Sequence, residues 1–219
     1  MTYNHQLIEA AEQGHLDEVL RLIPLADPKS KNSEALAQAA RHGFFECVEA
    51  LIPVSDPCVD NSFALWIAAN QGHSDCVAVL IPHSRVKDGN CRALRTAARF
   101  GHLDCVEILQ TQHSQKERVE ALDDCILGDH RECLKALCRG IDLQMLRRPF
   151  YHCVALNKLE LADALYQIMG HQLSNDDLRE GMRHHPEYFL KLESQKQNKT
   201  FIQELQKPNN GLNARLRKM

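Results

Sequence analysis

The chain has no apolar run approaching the ~20 residues that a bilayer crossing needs, so no membrane partner is expected. Its start, MTYNHQLIEAAEQGH, has no basic segment followed by an apolar stretch, and a secretory leader is not expected. Basic residues are not in excess. The 26 Lys and Arg face 29 Asp and Glu, for a net charge of −3, which argues against a dedicated nucleic-acid binder. The nine Cys form no paired framework, and free thiols in a reducing compartment are the simpler reading. A cytoplasmic protein fits this, as would a bacterial protein delivered into a host cell. No Gly-rich phosphate loop, nucleophile elbow or metalloprotease helix motif occurs. The sequence therefore gives no catalytic residue and no cofactor, and no enzyme is expected.

What the chain does have is a repeat. Glycine stands at Gly14, Gly43, Gly72 and Gly101, a constant step of 29 residues. The pairs Ala10-Ala11, Ala39-Ala40, Ala68-Ala69 and Ala97-Ala98 keep that step, as do Ile23-Pro24, Ile52-Pro53 and Ile81-Pro82, and Asn32, Asn61 and Asn90. A fixed period of roughly 20–50 residues is the mark of stacked repeats.

The stretch Asn61 to Pro82, NSFALWIAANQGHSDCVAVLIP, shows the unit best. Asn61-Ser62 reads as an N-cap pair. Phe63 to Gln71 reads as a first helix, with Leu65, Ala68 and Ala69 on one face. Gly72 supplies a residue able to take positive φ at the helix end. A second helix begins near Ser74-Asp75, buries Cys76, Val77, Leu80 and Ile81, and stops at Pro82.

This unit resembles the ankyrin repeat. Leu65, Ala68, Ala69, Gly72, His73, Val77 and Leu80 fall in the slots of that family's pattern, and the match runs from Leu7 to Leu109. The period is shorter than the ankyrin 33, and the T-P-L-H turn is replaced by Phe63-Ala64-Leu65-Trp66. A compact turn such as Val54-Ser55-Asp56-Pro57 is expected in place of a projecting β-hairpin. The short unit looks more similar to bacterial ankyrin proteins than to the 33-residue animal type. The resemblance implies an all-α helical solenoid of six to seven helix-turn-helix units that binds a protein partner.

Three regions are expected. Residues 1–110 hold four regular repeats, with Glu18 replacing the Cys of later copies as suits an end cap. Residues 111–195 hold two to three degenerate repeats and a cap, with Asp129 and then Asn157 in the glycine slot at a step of 28. Leu178, Met182 and His185 extend that step into a seventh unit, and Phe189, Leu190 and Leu192 are expected to pack beneath it. Residues 196–219 carry a short helix at Thr200 to Gln206 and a mobile basic tail.

Cys47, Cys76, Cys105 and Cys133 recur at one second-helix slot. Such positions lie ~10 Å apart in successive layers, too far to share a metal, and Cys packs there as a small hydrophobe. Cys125, Cys133, Cys138 and Cys153 lack zinc-type C-x-x-C spacing. No metal site is expected. His15, His73, His102 and His130 follow the glycine slot; the resemblance implies that they bridge repeats structurally.

Partners of this family usually meet the concave face formed by the first helices. The positions before the glycine differ between copies while the frame is constant: Glu12-Gln13, Arg41-His42, Asn70-Gln71 and Arg99-Phe100. Trp66 is the single Trp, and its slot holds Ile8, Ala37 and Arg95 elsewhere. Trp and Arg are favoured at interface hot spots. The expected contact set is thus Arg41, His42, Trp66, Asn70, Gln71, Arg95, Arg99 and Phe100. A basic rim of Lys29, Lys31, Arg85 and Lys87 suggests a partner with an acidic surface. The unbound chain is expected to be monomeric. The competing reading is an enzyme with its site in residues 123–185.

Overall fold

The computed structural model describes residues 2–170, 173, 181–183 and 185–195. The chain divides into two compact units, Met1–Ile168 and Met169–Met219. In the first unit, helices alternate between two rows. One row is α1 (Tyr3–Gln13), α3 (Ser30–His42), α5 (Val59–Gln71), α7 (Asp88–Phe100), α9 (Gln115–Gly128) and α11 (Arg147–Ala155). The other is α2 (Leu16–Leu22), α4 (Phe45–Leu51), α6 (Ser74–Leu80), α8 (Leu103–Leu109), α10 (Arg131–Cys138) and α12 (Leu159–Ile168). Each first helix packs on the next first helix and on its own second helix. The described residues contain no strand, so the loops carry no β-hairpin. A single 3₁₀ turn, as at Ile52–Val54 and Ile81–His83, follows α4 and α6 where proline forbids further α-helix.

The periodic residues form the core. Leu36, Leu65, Leu94 and Leu122 are fully buried, as are the alanines Ala40, Ala69 and Ala98. Small Ala side chains let neighbouring first helices approach closely. Each buried Leu contributes about 1.5–3 kcal/mol of apolar burial. Cys47, Cys76, Cys105 and Cys133 are buried in the second helices. Burial pushes the thiols up, to about 11 at Cys76 and Cys133 and about 12 at Cys105, so they act as core. All nine cysteines are free.

The first helices end as the sequence implies. Gly14, Gly43, Gly72 and Gly101 are all left-handed, with φ between 72 and 83°. Asp129 (φ 66°) and Asn157 (φ 57°) take the same conformation in the fifth and sixth units. There a β-carbon is tolerated because short polar side chains suit αL.

The helix starts differ from expectation. Asn61 and Ser62 are not an N-cap pair. Asp60, Asn61 and Ser62 are three successive left-handed residues, and Lys31-Asn32-Ser33 and Gly89-Asn90-Cys91 repeat the motif. Regular helix begins after each triplet. The hydroxyl of Ser62 accepts from the backbone N–H of Arg85 at 2.9 Å, and that of Ser33 from Asp56 at 2.9 Å. The side-chain oxygen of Asn4 does the same for Asp27 at 2.8 Å. These oxygens therefore serve the next loop, not their own helix. Helix α9 breaks the pattern: it has no left-handed triplet and starts from a Ser114–Glu117 capping box.

In the second unit, residues 186–195 are helical. Phe189 and Leu192 are fully buried, and Phe189 lies against Gly181. Leu190, expected to pack with them, is 57% exposed. Leu178, most of the seventh unit, and the helix and basic tail expected over 196–219 lie outside the described residues.

Candidate functional site

The residues just before each left-handed glycine are presented along the first-helix row. Glu12, Gln13, Arg41, His42, Gln71, Arg99 and Phe100 are exposed, and Asn70 is half-buried. Their backbone carbonyls carry the frame. His73 Nε2–H donates to the Arg41 carbonyl at 3.0 Å, and His102 Nε2–H to that of Asn70 at 2.9 Å. These histidines thus bridge repeats. In the second unit of the stack Phe44 takes the His slot, lies over Gly14, and stacks on His42 with centroids 6.1 Å apart.

Trp66 is half-buried and held on three sides. Its Nε1–H donates to Thr96 Oγ1 at 3.1 Å, the Arg92 guanidinium sits 3.5 Å above its ring, and Phe63 packs at 5.2 Å. Its neighbour in the slot is spent internally. Arg95 Nε donates to Asp124 Oδ2 at 2.6 Å, and Arg99 Nη1 lies 3.7 Å from Asp124 Oδ1. Asp124 is buried, so its hydrogen bond and charge raise the Arg95 pKa. Arg95 is therefore part of the inter-repeat frame more than of a free rim. Arg92, absent from the expected set, joins Gly89, Arg95, Thr96, Arg99 and Asp124 around a recess of about 240 Å³. A signal was present: Arg92 lies one helical turn before Arg95 and two before Arg99, on the same face.

The remaining basic rim is uneven. Lys29, Lys31, Arg85 and Lys87 are exposed, and Lys87 Nζ sits 3.5 Å from Glu117. Phe100, 53% exposed, is an uncovered aromatic at the C-terminal end of α7. Within residues 123–185, Asp123 is shared between Arg148 Nη2 (2.6 Å) and His152 Nδ1 (2.8 Å), an α9–α11 tie.

The sequence predicts no metal site. The structure nevertheless gathers three ligand-type side chains, Cys91, His113 and Glu117, at the junction of α7 and α9. Among the described residues, no helix is long and apolar enough to cross a membrane.

Comparison with known proteins places these features in a family. The family described as ankyrin repeats (3 copies) matches residues 7–88 and 54–120. Among solved structures, the crystal structure of the human ASB11 ankyrin repeat domain superposes with a TM-score of 0.62 at 21% identity, over 74% of this chain and 82% of that one. No curated protein matches. Glycine-capped first helices, histidines bridging successive units and a family match across more than half its length agree: the chain belongs to the ankyrin repeat family.

Proposed function

We propose that this protein is a non-enzymatic binder whose first-helix row, centred on α5 and α7, engages a protein partner. Ankyrin repeats are generally protein–protein interaction modules. The observation that carries the reading is local. Phe100 is an exposed aromatic that follows the exposed Arg99 at the end of α7, and Arg99 edges a recess with Arg92. An aromatic flanked by arginines fits the hot-spot pattern, in which a few residues carry most of the energy. One buried carboxylate, Asp124, faces three guanidinium groups there. The surplus positive charge favours a partner that offers an acidic side chain beside an apolar one. Arg41, His42, Asn70 and Gln71 extend the same surface. Binding is then the output itself, as in an effector, an inhibitor or an immunity-type protein, acting in a reducing compartment such as the cytoplasm.

The alternative, an enzyme site within residues 123–185, is less well supported. Asp123 is engaged by Arg148 and His152. Burial pushes the thiols of Cys138 and Cys153 up to about 12, away from the thiolate that a nucleophile requires.

The test places a photo-crosslinking side chain at Phe100 or, as a control on the second-helix row, at exposed Ala78. A discrete cross-linked protein at 100 and none at 78 is expected. That adduct should be lost when Arg92→Ala and Arg99→Ala are combined, each removing about 1–3 kcal/mol of binding. Cross-linking at 78 alone overturns the assignment.

A further inference from the structure

We propose that Cys91, His113 and Glu117 form a binding site for a soft divalent cation, zinc above all, at the junction of the fourth and fifth repeats.

The three ligand atoms lie within 4.8 Å of one another. Zinc–sulfur bonds of about 2.3 Å and zinc–nitrogen or zinc–oxygen bonds of about 2.0–2.2 Å set tetrahedral donors about 3.3–3.8 Å apart. Closing the cluster onto a metal therefore asks for side-chain shifts of about 1 Å. Thiolate, imidazole and carboxylate together favour zinc over magnesium or calcium, which prefer all-oxygen shells. Three protein ligands leave the fourth position to water.

A second observation is independent of the clustering. The His113 side chain is 0% exposed, and neither of its ring nitrogens has a hydrogen-bond partner. Glu117 Oε2 lies 3.8 Å from Nδ1, beyond hydrogen-bond distance. Buried imidazole nitrogens are ordinarily paired, because leaving them bare costs their desolvation. A metal bond supplies the missing partner.

The repeat itself shows that these residues are not demanded by the fold. The slot of Cys91 holds Asn4, Ser33 and Ser62 in the earlier units, and the slot of His113 holds Ser55 and Ser84. In the earlier units the slot side chain caps a backbone N–H of the next loop. At this junction Ser114 N–H donates instead to Glu117 Oε2 at 2.7 Å, and Ser114 Oγ–H donates to the same oxygen at 2.8 Å. Cys91 is thereby released from capping, and Ser114 holds the carboxylate in place, as an outer-shell partner does for a metal ligand. Two slots, both serine in the third unit, change together into ligand types at one junction.

The surrounding charges are mixed. Glu120 adds negative charge near Cys91, while Lys87 lies 3.5 Å from Glu117. The Lys87 side chain is 61% exposed and can swing into solvent. On binding, the Cys91 thiol releases its proton to solvent and its sulfur lone pair binds the metal. His113 binds through a neutral nitrogen.

The test uses the full chain stripped with a chelator, then titrated with zinc against a chromophoric indicator and separately with cobalt(II). One zinc per chain is expected, with a near-ultraviolet thiolate-to-cobalt charge-transfer band. Cys91→Ser and His113→Ser recreate side chains carried by neighbouring units, so both should fold. Each should weaken zinc binding by at least the roughly 10–100-fold that loss of an outer-shell partner costs, and Cys91→Ser should abolish the cobalt band while Cys58→Ser leaves it intact. Absence of the band in the wild type, or wild-type affinity in both variants, overturns the proposal. If either variant fails to fold, Glu117→Gln and the wild-type cobalt spectrum still decide it.

Discussion

The imidazole of His102 occupies the space that a side chain at Gly72 would need. A β-carbon built on Gly72 would lie 2.6 Å from His102 Nδ1, while the opposite nitrogen of that ring donates to the Asn70 carbonyl at 2.9 Å. Gly72 thus answers two demands, a φ of 83° and a ring pressed against it from the next repeat. Gly72→Val should destabilise by a few kcal/mol on the strain scale for positive φ, with steric clash added. Combining Gly72→Ala with His102→Ala relieves the clash and keeps the strain. Urea melts of the single and double variants separate the two. A Gly72→Ala melt matching wild type would refute both demands.

The Arg95–Asp124 pair joins α7 to α9 through a carboxylate that is only 10% exposed. Removing Arg95 strands the buried carboxylate, so Arg95→Ala should cost about 1–3 kcal/mol. A double-mutant cycle with Asp124→Ala should return a favourable coupling, since the residues share a hydrogen bond. Additive losses would show that the pair contributes nothing beyond its separate packing.

Ser62→Ala leaves the Arg85 N–H without its acceptor at a half-buried junction. About 1 kcal/mol of stability should be lost, with Ser33→Ala similar for the Asp56 N–H. Hydrogen exchange offers the sharper reading: protection of the Arg85 amide should fall in the Ser62 variant and hold in the Ser33 variant.

Glu117 gives a pH signature. The backbone and hydroxyl of Ser114 stabilise its carboxylate, holding its pKa at about 2 against an ordinary 4.5. A depressed carboxyl pKa contributes stability that is complete above the unfolded-state value and lost as pH falls toward the folded one. With chelator present, the stability gap between wild type and Glu117→Gln should therefore be constant above pH 4.5. It should shrink between pH 4.5 and about 2. A gap independent of pH over that window would mean that Ser114 does not hold the carboxylate.

Much of the fold was legible because its determinants are local and periodic. Gly72, Leu65, Ala68 and Val77 each report on their own turn of helix, and each appears at its expected depth or conformation. The left-handed triplets were not legible. Asn61-Ser62 satisfies the composition of an N-cap equally well, and what decides against it is an acceptor need at Arg85, in the next loop. Arg95 looked like free surface for the same reason: its partner, Asp124, belongs to the following repeat. The Cys91–His113–Glu117 cluster was not legible because its three residues occupy different slots of adjacent repeats, and only stacking brings a helix-start Cys beside the His and Glu that open the next unit. A comparison slot by slot, asking where serine gives way to Cys and His, would have exposed it.

The serine-to-backbone tie makes the early units interchangeable tiles. Ser33 and Ser62 present the same hydroxyl to the same point of the following loop. Excising residues 33–61 would seat Ser62 directly behind Asn32 and keep the tie from that hydroxyl to the loop that follows it. At the fourth junction that freedom ends. Cys91 has no capping oxygen, and α9 closes its own loop through Ser114 and Glu117. The units beyond meet their neighbours without that tie.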